Sequence, residues 1–372
     1  MDILHFYEEH VDALKELLFE LARIPAPSHQ ERRRAEFILA VLHAHGLHGA
    51  YIDEADNVIV EIGNVESGAV LIMAHTDIVF SKDVALEVIR RDAKLYCPGI
   101  GDDTVHVAML VYCCLYAATH FKESGQSFIF AFNSCEEGEG NLKGCKQIMA
   151  RYSKFIREMI TFDGYLDVIN DSAVGSMRYR IKASCRGGHS FRDFGNDNAI
   201  AIIAKLITYL DHVQLPQGGI TTYNFGKING GSTVNSIAEE CEVLYEFRSD
   251  DADSLLYMKE FFEGVIGEFP ECVSWECIGV RPCACGVDKD RQNALLERVE
   301  SIFSELPMPS RYPASTDCNI PLSLGIPSVC VGFISGGGAH TINEYIDEDS
   351  IGVGFFTALK LIKSYCKNSD RK

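Results

Sequence analysis

Five separate segments of the chain carry side chains of the kind that hold metal ions. His75 and Asp77 stand in AVLIMAHTD, Asp102 and Asp103 in PGIGDDT, and Glu136 and Glu137 in FAFNSCEEGEG. Asp163 stands in MITFDG and His340 in GGGAHTINE. Two imidazoles and several carboxylates on separate loops are what two zinc ions sharing one bridging carboxylate require, and that points to metal-assisted hydrolysis. A carboxylate adjacent to a ligating carboxylate can take the proton from a metal-bound water, and an Asp near a ligating His can hold its imidazole.

Each segment also has a plainer reading. Asp102-Asp103 could cap the helix that follows, with Asp103 the better placed of the two. Glu136-Glu137 could be a solvated loop, Asp163-Gly164 a turn, and His340 a loop tip behind three glycines. All of these would have to hold at once for the site to be absent.

The elements before these segments argue for a single site. Residues 69–74 form a continuous apolar run, the mark of a strand buried on both faces, and strands are also expected at 57–63, 127–133, 159–162 and 327–333. Helices are expected at 5–23, 104–120, 142–154 and 290–305, and at 29–46 with Ser28 as its cap and Glu31 completing a capping box. This alternation predicts an α/β domain with a largely parallel central sheet flanked by helices. Ligands of such sheets gather at the carboxyl ends of the strands. Four of the strands lead directly into His75, Glu136-Glu137, Asp163 and the loop to His340. Between them the pattern changes. Strands near 176–186, 220–228, 240–248 and 272–281, with helices near 196–213 and 253–268, follow the β-α-β-β-α-β order of a ferredoxin-like unit. The middle two strands read as joined by a Gly-Gly turn. We therefore expect a catalytic domain of 1–172 with 284–372, interrupted by an α+β domain of 173–283.

Bulk properties narrow the function classes. A net charge of −19 argues against nucleic acid or an anionic membrane as partner. The N-terminus lacks the cationic start and apolar core of a signal peptide, and no apolar run is long enough to span a bilayer. The fourteen cysteines are scattered through apolar patterns without a C-x-x-C pair, as expected of reduced thiols in the cytoplasm. The lone C-x-C of Cys283 and Cys285 lacks the second pair a metal site would need.

In order and context these segments resemble the di-zinc metallopeptidase family that contains peptidase T, glutamate carboxypeptidase, aminoacylase, cytosolic non-specific dipeptidase and succinyl-diaminopimelate desuccinylase. The resemblance runs over nearly the whole chain. It takes in AHTD, the Asp-Asp segment, CEEGEG, TFDG, GGHS, GGSTVNSIAEE with YEFRSD, ASTDCNIPLSLGIP and GGGAHTINEYI. CEEGEG and TFDG most resemble the peptidase T branch.

The resemblance implies roles. Asp102 bridges two zinc ions per subunit, which Co2+ or Mn2+ can replace. His75 and Asp163 complete one site, and Glu137 and His340 the other. Glu136 is the general base, and Asp77 orients His75. The peptide after Asp102 is cis. The inserted domain serves as lid and dimerisation domain, and its His189 reaches the partner subunit's site to polarise the scissile carbonyl. Asn235 and Arg248 contact substrate, Arg248 suiting a carboxylate, with Arg281 a further candidate. The plain alternatives are a turn histidine for His189 and, for Arg248, a strand-face ion pair with Glu246 or Asp250. The implied activity is that of a homodimeric exopeptidase acting on di- or tripeptides, the alternative being an amidohydrolase of N-acyl amino acids. The chain departs from the family where Thr104 replaces a Lys and His106 a Gly.

Overall fold

The computed structural model describes residues 2–121 and 125–366. The chain divides into two compact units, Met1–Ser172 with Cys285–Lys372, and Ala173–Ala284.

The larger unit is built on an eight-stranded sheet. Its spatial order is Tyr51–Ile52, Val58–Ile62, Ser127–Asn133, Ala69–His75, Ile156–Phe162, Ser328–Val331, Val168–Asn170 and Ser310–Arg311. The four strands from Ser127–Asn133 to Ser328–Val331 are mutually parallel. Ala69–His75 is buried at every residue, which is why its sequence is a continuous apolar run rather than an alternation. Helices Ile3–Ala22, Val105–His120 and Glu348–Lys363 pack on one another over the sheet. Val105–His120 is buried from Val105 through Ala118, so it is apolar on all sides rather than on one stripe.

The registers set the parallel strands' carboxyl ends level. His75 faces Asn133, Met73 faces Thr161, and Val331 faces Phe162. The loops leaving these ends must therefore emerge side by side.

Three local readings need correction. Ser28 does not cap the second helix, which runs only from Arg32 to Ala44 with no side-chain cap. The Ser28 hydroxyl donates instead to Asp77 at 2.7 Å, and the Glu31 carboxylate accepts the amides of His29 and Cys135. Asp103 does not cap the Val105–His120 helix either, because its carboxylate is taken by His75 and His106. A small antiparallel sheet of Ile89–Arg91, Lys94–Tyr96, Tyr345–Asp347 and Gly336–Gly337 was not expected. Its strands are two or three residues long, too short for a periodic signal.

The smaller unit is a four-stranded antiparallel sheet in the order Thr221–Gly230, Glu240–Ser249, Gly175–Ser184, Val273–Arg281. Tyr179, Ile181, Val243, Tyr245 and Phe247 turn to one face under helices Ala199–Leu210 and Ala252–Gly267. The other face carries a charged ladder that includes Arg180–Glu276 at 3.0 Å and Lys182–Glu240 at 2.8 Å. This two-sidedness is the source of the alternation in the sequence. The link between the middle strands is longer than a Gly-Gly turn. It contains Ser236–Ile237, which pairs with Gly188–His189.

Among the described residues no helix is long and apolar enough to cross a membrane. All fourteen cysteines are free thiols.

Candidate functional site

The carboxyl ends of the parallel strands bring seven of the predicted residues together. His75 ends its strand, Asp163 directly follows Phe162, and Glu136 and Glu137 lie just past Asn133. Asp102 sits in the segment before the Val105–His120 helix, and the Asp102–Asp103 peptide is cis. His340 rises on the loop between Gly337 and Tyr345, with a left-handed φ of 64°.

The two oxygens of Asp102 face different histidines. Oδ1 lies 3.0 Å from His75 Nε2, and Oδ2 lies 3.1 Å from His340 Nε2, whose ring is also 3.2 Å from Glu137 Oε1. Donor atoms of His75, Asp102 and Asp163 form one group within 4.8 Å, and those of Asp102, Glu137 and His340 form another. Asp102 is common to both. His75, Glu136 and Glu137 converge in the same way, all buried.

The electrostatics suit divalent cations. Asp77, Asp102, Asp103, Glu136, Glu137, Asp163 and Glu344 crowd around two imidazoles. Burial, with Asp102 next in weight, pushes the Asp163 carboxyl up to about 7. Burial alone would lower the His75 pKa, but the surrounding Asp103, Asp102 and Asp77 hold it well above the ordinary range. Hydrogen bonds to Asp102 and Glu137 raise His340 to about 10. Burial works against ionisation of Asp102, yet its bonds to His340 and His75 hold it well below the usual carboxylate range. The raised values of His75, Asp163 and His340 mean that the crowded negative charge favours positive charge at the site. Two divalent ions would supply that positive charge, and nitrogen and carboxylate donors match zinc.

Buried carboxylates behind these donors bind backbone amides. Asp77, fully buried, accepts Glu136 N at 2.9 Å, Glu137 N at 3.0 Å and the Ser28 hydroxyl. His75 Nδ1 is closer to the Asp77 backbone carbonyl, at 3.0 Å, than to its carboxylate, at 3.4 Å. The Asp77 side chain thus aims the glutamate pair more directly than it aims His75. Asp103 accepts His75 N at 3.0 Å and the His106 ring at 2.5 Å. The other His106 nitrogen accepts Phe333 N at 3.0 Å, which fixes the proton on Nδ1. Burial lowers this imidazole's pKa to about 3, so it is neutral. Where the family resemblance expects glycine, the chain has a wired, buried imidazole.

Thr104, the other departure, donates to Gly99 O at 2.5 Å. Beside it lies Arg34, buried and in contact with carbonyls rather than a carboxylate. It donates to Ile24 O at 2.7 Å, Thr76 O at 2.8 Å and Leu21 O at 3.3 Å, with Thr104 Oγ1 at 3.4 Å.

The sequence reading missed Arg34 and Glu344. Their partners are carbonyls and amides from distant segments, which leave no residue-type signal. The one local hint at Glu344 is its place directly before the alternating Tyr345-Ile346-Asp347.

The smaller unit holds the other four predicted residues in two places. His189 and Asn235 are neighbours, because Gly188–His189 pairs with Ser236–Ile237 and Ser190 N donates to Asn235 O at 3.0 Å. Both line a cleft of about 690 Å³ with Gly231 and Glu240. Arg248 and Arg281 lie in one cross-strand row, each opposite Ser176. Arg248 is gripped twice by Glu246, at 3.2 Å each, so the ion-pair alternative is the state seen. Arg281 is buried.

Comparison with known proteins agrees with this architecture. A tripeptidase from Staphylococcus aureus shares the fold with a TM-score of 0.70 at 22% identity, over 95% of this chain and 98% of that one. An M20 family metallo-carboxypeptidase from Sulfolobus solfataricus shares it with a TM-score of 0.77 at 14% identity, over 95% and 99%. Among curated proteins, an acetylornithine deacetylase from Buchnera aphidicola is 24% identical over 208 residues, 52% of this chain. The match spans only 53% of that relative's length. Residues 71–364 match the sequence model of peptidase family M20/M25/M40, and the chain belongs to that family.

Proposed function

We propose that this chain hydrolyses the amide bond of short peptides at a two-zinc centre, as an exopeptidase of the di- or tripeptidase kind. The observation that carries the reading is the division of Asp102, one oxygen toward His75 and the other toward His340. That division supports a bridging role for this carboxylate. His75 and Asp163 would hold one ion, and Glu137 and His340 the other. Bound zinc would supply Lewis acidity and lower the pKa of water at the site, with Co2+ or Mn2+ able to substitute.

The remaining roles fall to the chain itself. Glu136 is buried beside Glu137, and its backbone is held by Asp77. It would take the proton from the attacking water and return it to the leaving amine. His189, exposed at the end of the short Gly188–His189 strand, would enter the site of a second copy and stabilise the developing oxyanion, which makes the working unit a homodimer formed through the smaller unit. Asn235 would contact the substrate beside it. Arg248 would exchange Glu246 for a substrate carboxylate, with Arg281 in the same row. Free thiols throughout support a cytoplasmic location.

A second reading keeps the site and changes the substrate to an N-acyl amino acid. The deacetylase relative favours it. The deciding experiment loads the protein with zinc and offers free-amine di- and tripeptides beside N-acetyl and N-succinyl amino acids. We expect peptide hydrolysis, abolished by a chelator and by Glu136→Ala. Turnover of acyl amino acids alone would select the second reading. A zinc-loaded protein that cleaves neither, or an active Glu136→Ala variant, would overturn both.

A further inference from the structure

We propose that Glu344 is a positioning residue for the metal centre: it fixes Asp102 in its bridging pose and ties the Asp102 segment to the His340 loop. The inference rests on the two-metal reading above.

Glu344 is fully buried. Its carboxylate accepts three backbone amides from one short segment, Gly99 N at 2.8 Å on Oε2, and Gly101 N at 2.7 Å and Asp102 N at 2.9 Å on Oε1. The segment is shaped to it. Gly99 has a left-handed φ of 74°, and a Cβ there would lie 2.4 Å from the Ile78 side chain. A Cβ on Gly101 would lie 3.2 Å from Glu344 Oε1 itself. The main chain adds a reciprocal tie, Cys97 N to Glu344 O at 3.1 Å.

The other end of Glu344 is equally fixed. Glu344 N closes a turn on Thr341 O at 3.1 Å, next to His340, and Tyr345–Asp347 pairs with Lys94–Tyr96. His340 and the clamp on Asp102 N are thus only four residues apart in the chain. A shift of this strand end moves one metal donor and the backbone of another together.

A carboxylate buried near Asp102 is electrostatically unfavourable by itself, and three aligned amide dipoles offset part of that. A neutral side chain cannot replace it fully. The oxygen of a glutamine can accept Gly101 N and Asp102 N, but its NH2 then meets Gly99 N, donor against donor.

The test measures metal affinity by chelator competition on wild type, Glu344→Gln and Gly101→Ala, each first shown to be folded by circular dichroism. Cobalt absorption spectra report ligand geometry independently of activity. We expect Glu344→Gln to bind both ions roughly 10- to 100-fold more weakly, the usual effect of losing a group that orients ligands, with a shifted cobalt spectrum. Gly101→Ala, which presses on the same carboxylate, should show a smaller loss in the same direction. A folded Glu344→Gln with wild-type affinity and spectrum, changed only in melting temperature, overturns the proposal. If Glu344→Gln does not fold, a Gly101→Ala variant with wild-type affinity overturns it. A wild type that binds fewer than two ions would instead bring down the two-metal reading itself.

Discussion

Replacing Asp77 with asparagine tests how the glutamate pair is aimed. Asp77 is fully buried, and its two oxygens accept Glu136 N at 2.9 Å and Glu137 N at 3.0 Å. Asparagine fills the same volume but offers one acceptor. Its NH2 must face Glu136 N in one orientation, or Glu137 N together with the Ser28 hydroxyl in the other; the hydroxyl can turn around, but neither amide can. A hydrogen bond to a charged group contributes about 1.5–3 kcal/mol, and a buried amide left unmatched costs about 1–3 kcal/mol. If the backbone at Glu136 swings to relieve the mismatch, its carboxylate leaves the reacting water. A misplacement of about 1 Å can cost roughly 100-fold in rate. The reasoning therefore expects Asp77→Asn to lower kcat by about 10- to 100-fold at saturating zinc, with a smaller change in KM. Ser28→Ala, which removes only one donor to Asp77, should stay within about tenfold of wild type. The assay is steady-state hydrolysis of the best peptide from the substrate panel, with zinc content checked for each variant. An Asp77→Asn enzyme with full zinc and a kcat within twofold of wild type would refute the argument. So would a loss wholly restored by excess zinc, because that would place the Asp77 effect on His75 and metal affinity rather than on Glu136.

Three further outcomes follow from the same geometry. Asp163 is raised to about 7 and His340 to about 10, so His340 holds a proton throughout the neutral range and Asp163 holds one below about pH 7, and a cation must displace them. Metal binding then releases protons, and cobalt affinity should tighten between pH 5.5 and 7.5 by roughly tenfold per pH unit for each proton released. A flat profile in a titration would contradict this. His106→Ala strands Asp103 Oδ1 and Phe333 N in a buried place, and should cost roughly 2–4 kcal/mol in urea unfolding. A change below about 0.5 kcal/mol would sink that account. Mixing Glu136→Ala with His189→Ala subunits should restore roughly a quarter of wild-type activity, since half of the dimers are mixed and each has one intact site. Two inactive variants that stay inactive after subunit exchange would show that His189 does not act across subunits.

Much of the architecture was legible because its cause is local. Ala69–His75 is apolar at every position because both of its faces are covered, and the strands of the smaller unit alternate because only one is. Strand ends followed by His75, Glu136, Glu137 and Asp163 were enough to predict one gathering point, since parallel strands release their loops on the same edge. The smallest strands were not legible, and neither was the fate of Ser28. Its place before a charged, helix-forming stretch looks like a cap, but the competing acceptor Asp77 is 49 residues away.

Residue types and their order, then, settle that this chain carries a carboxylate- and histidine-rich site at the edge of a parallel sheet. Tertiary structure alone decides which oxygen of Asp102 faces which histidine, that His106 is a neutral link between Asp103 and Phe333, and that Glu344 clamps a segment 242 residues distant. The physical reason is that apolar periodicity follows from the burial of each element's own faces and is written along the chain. A buried carboxylate is instead satisfied by whichever amides the fold brings within 3 Å of it, and every residue but proline carries such an amide.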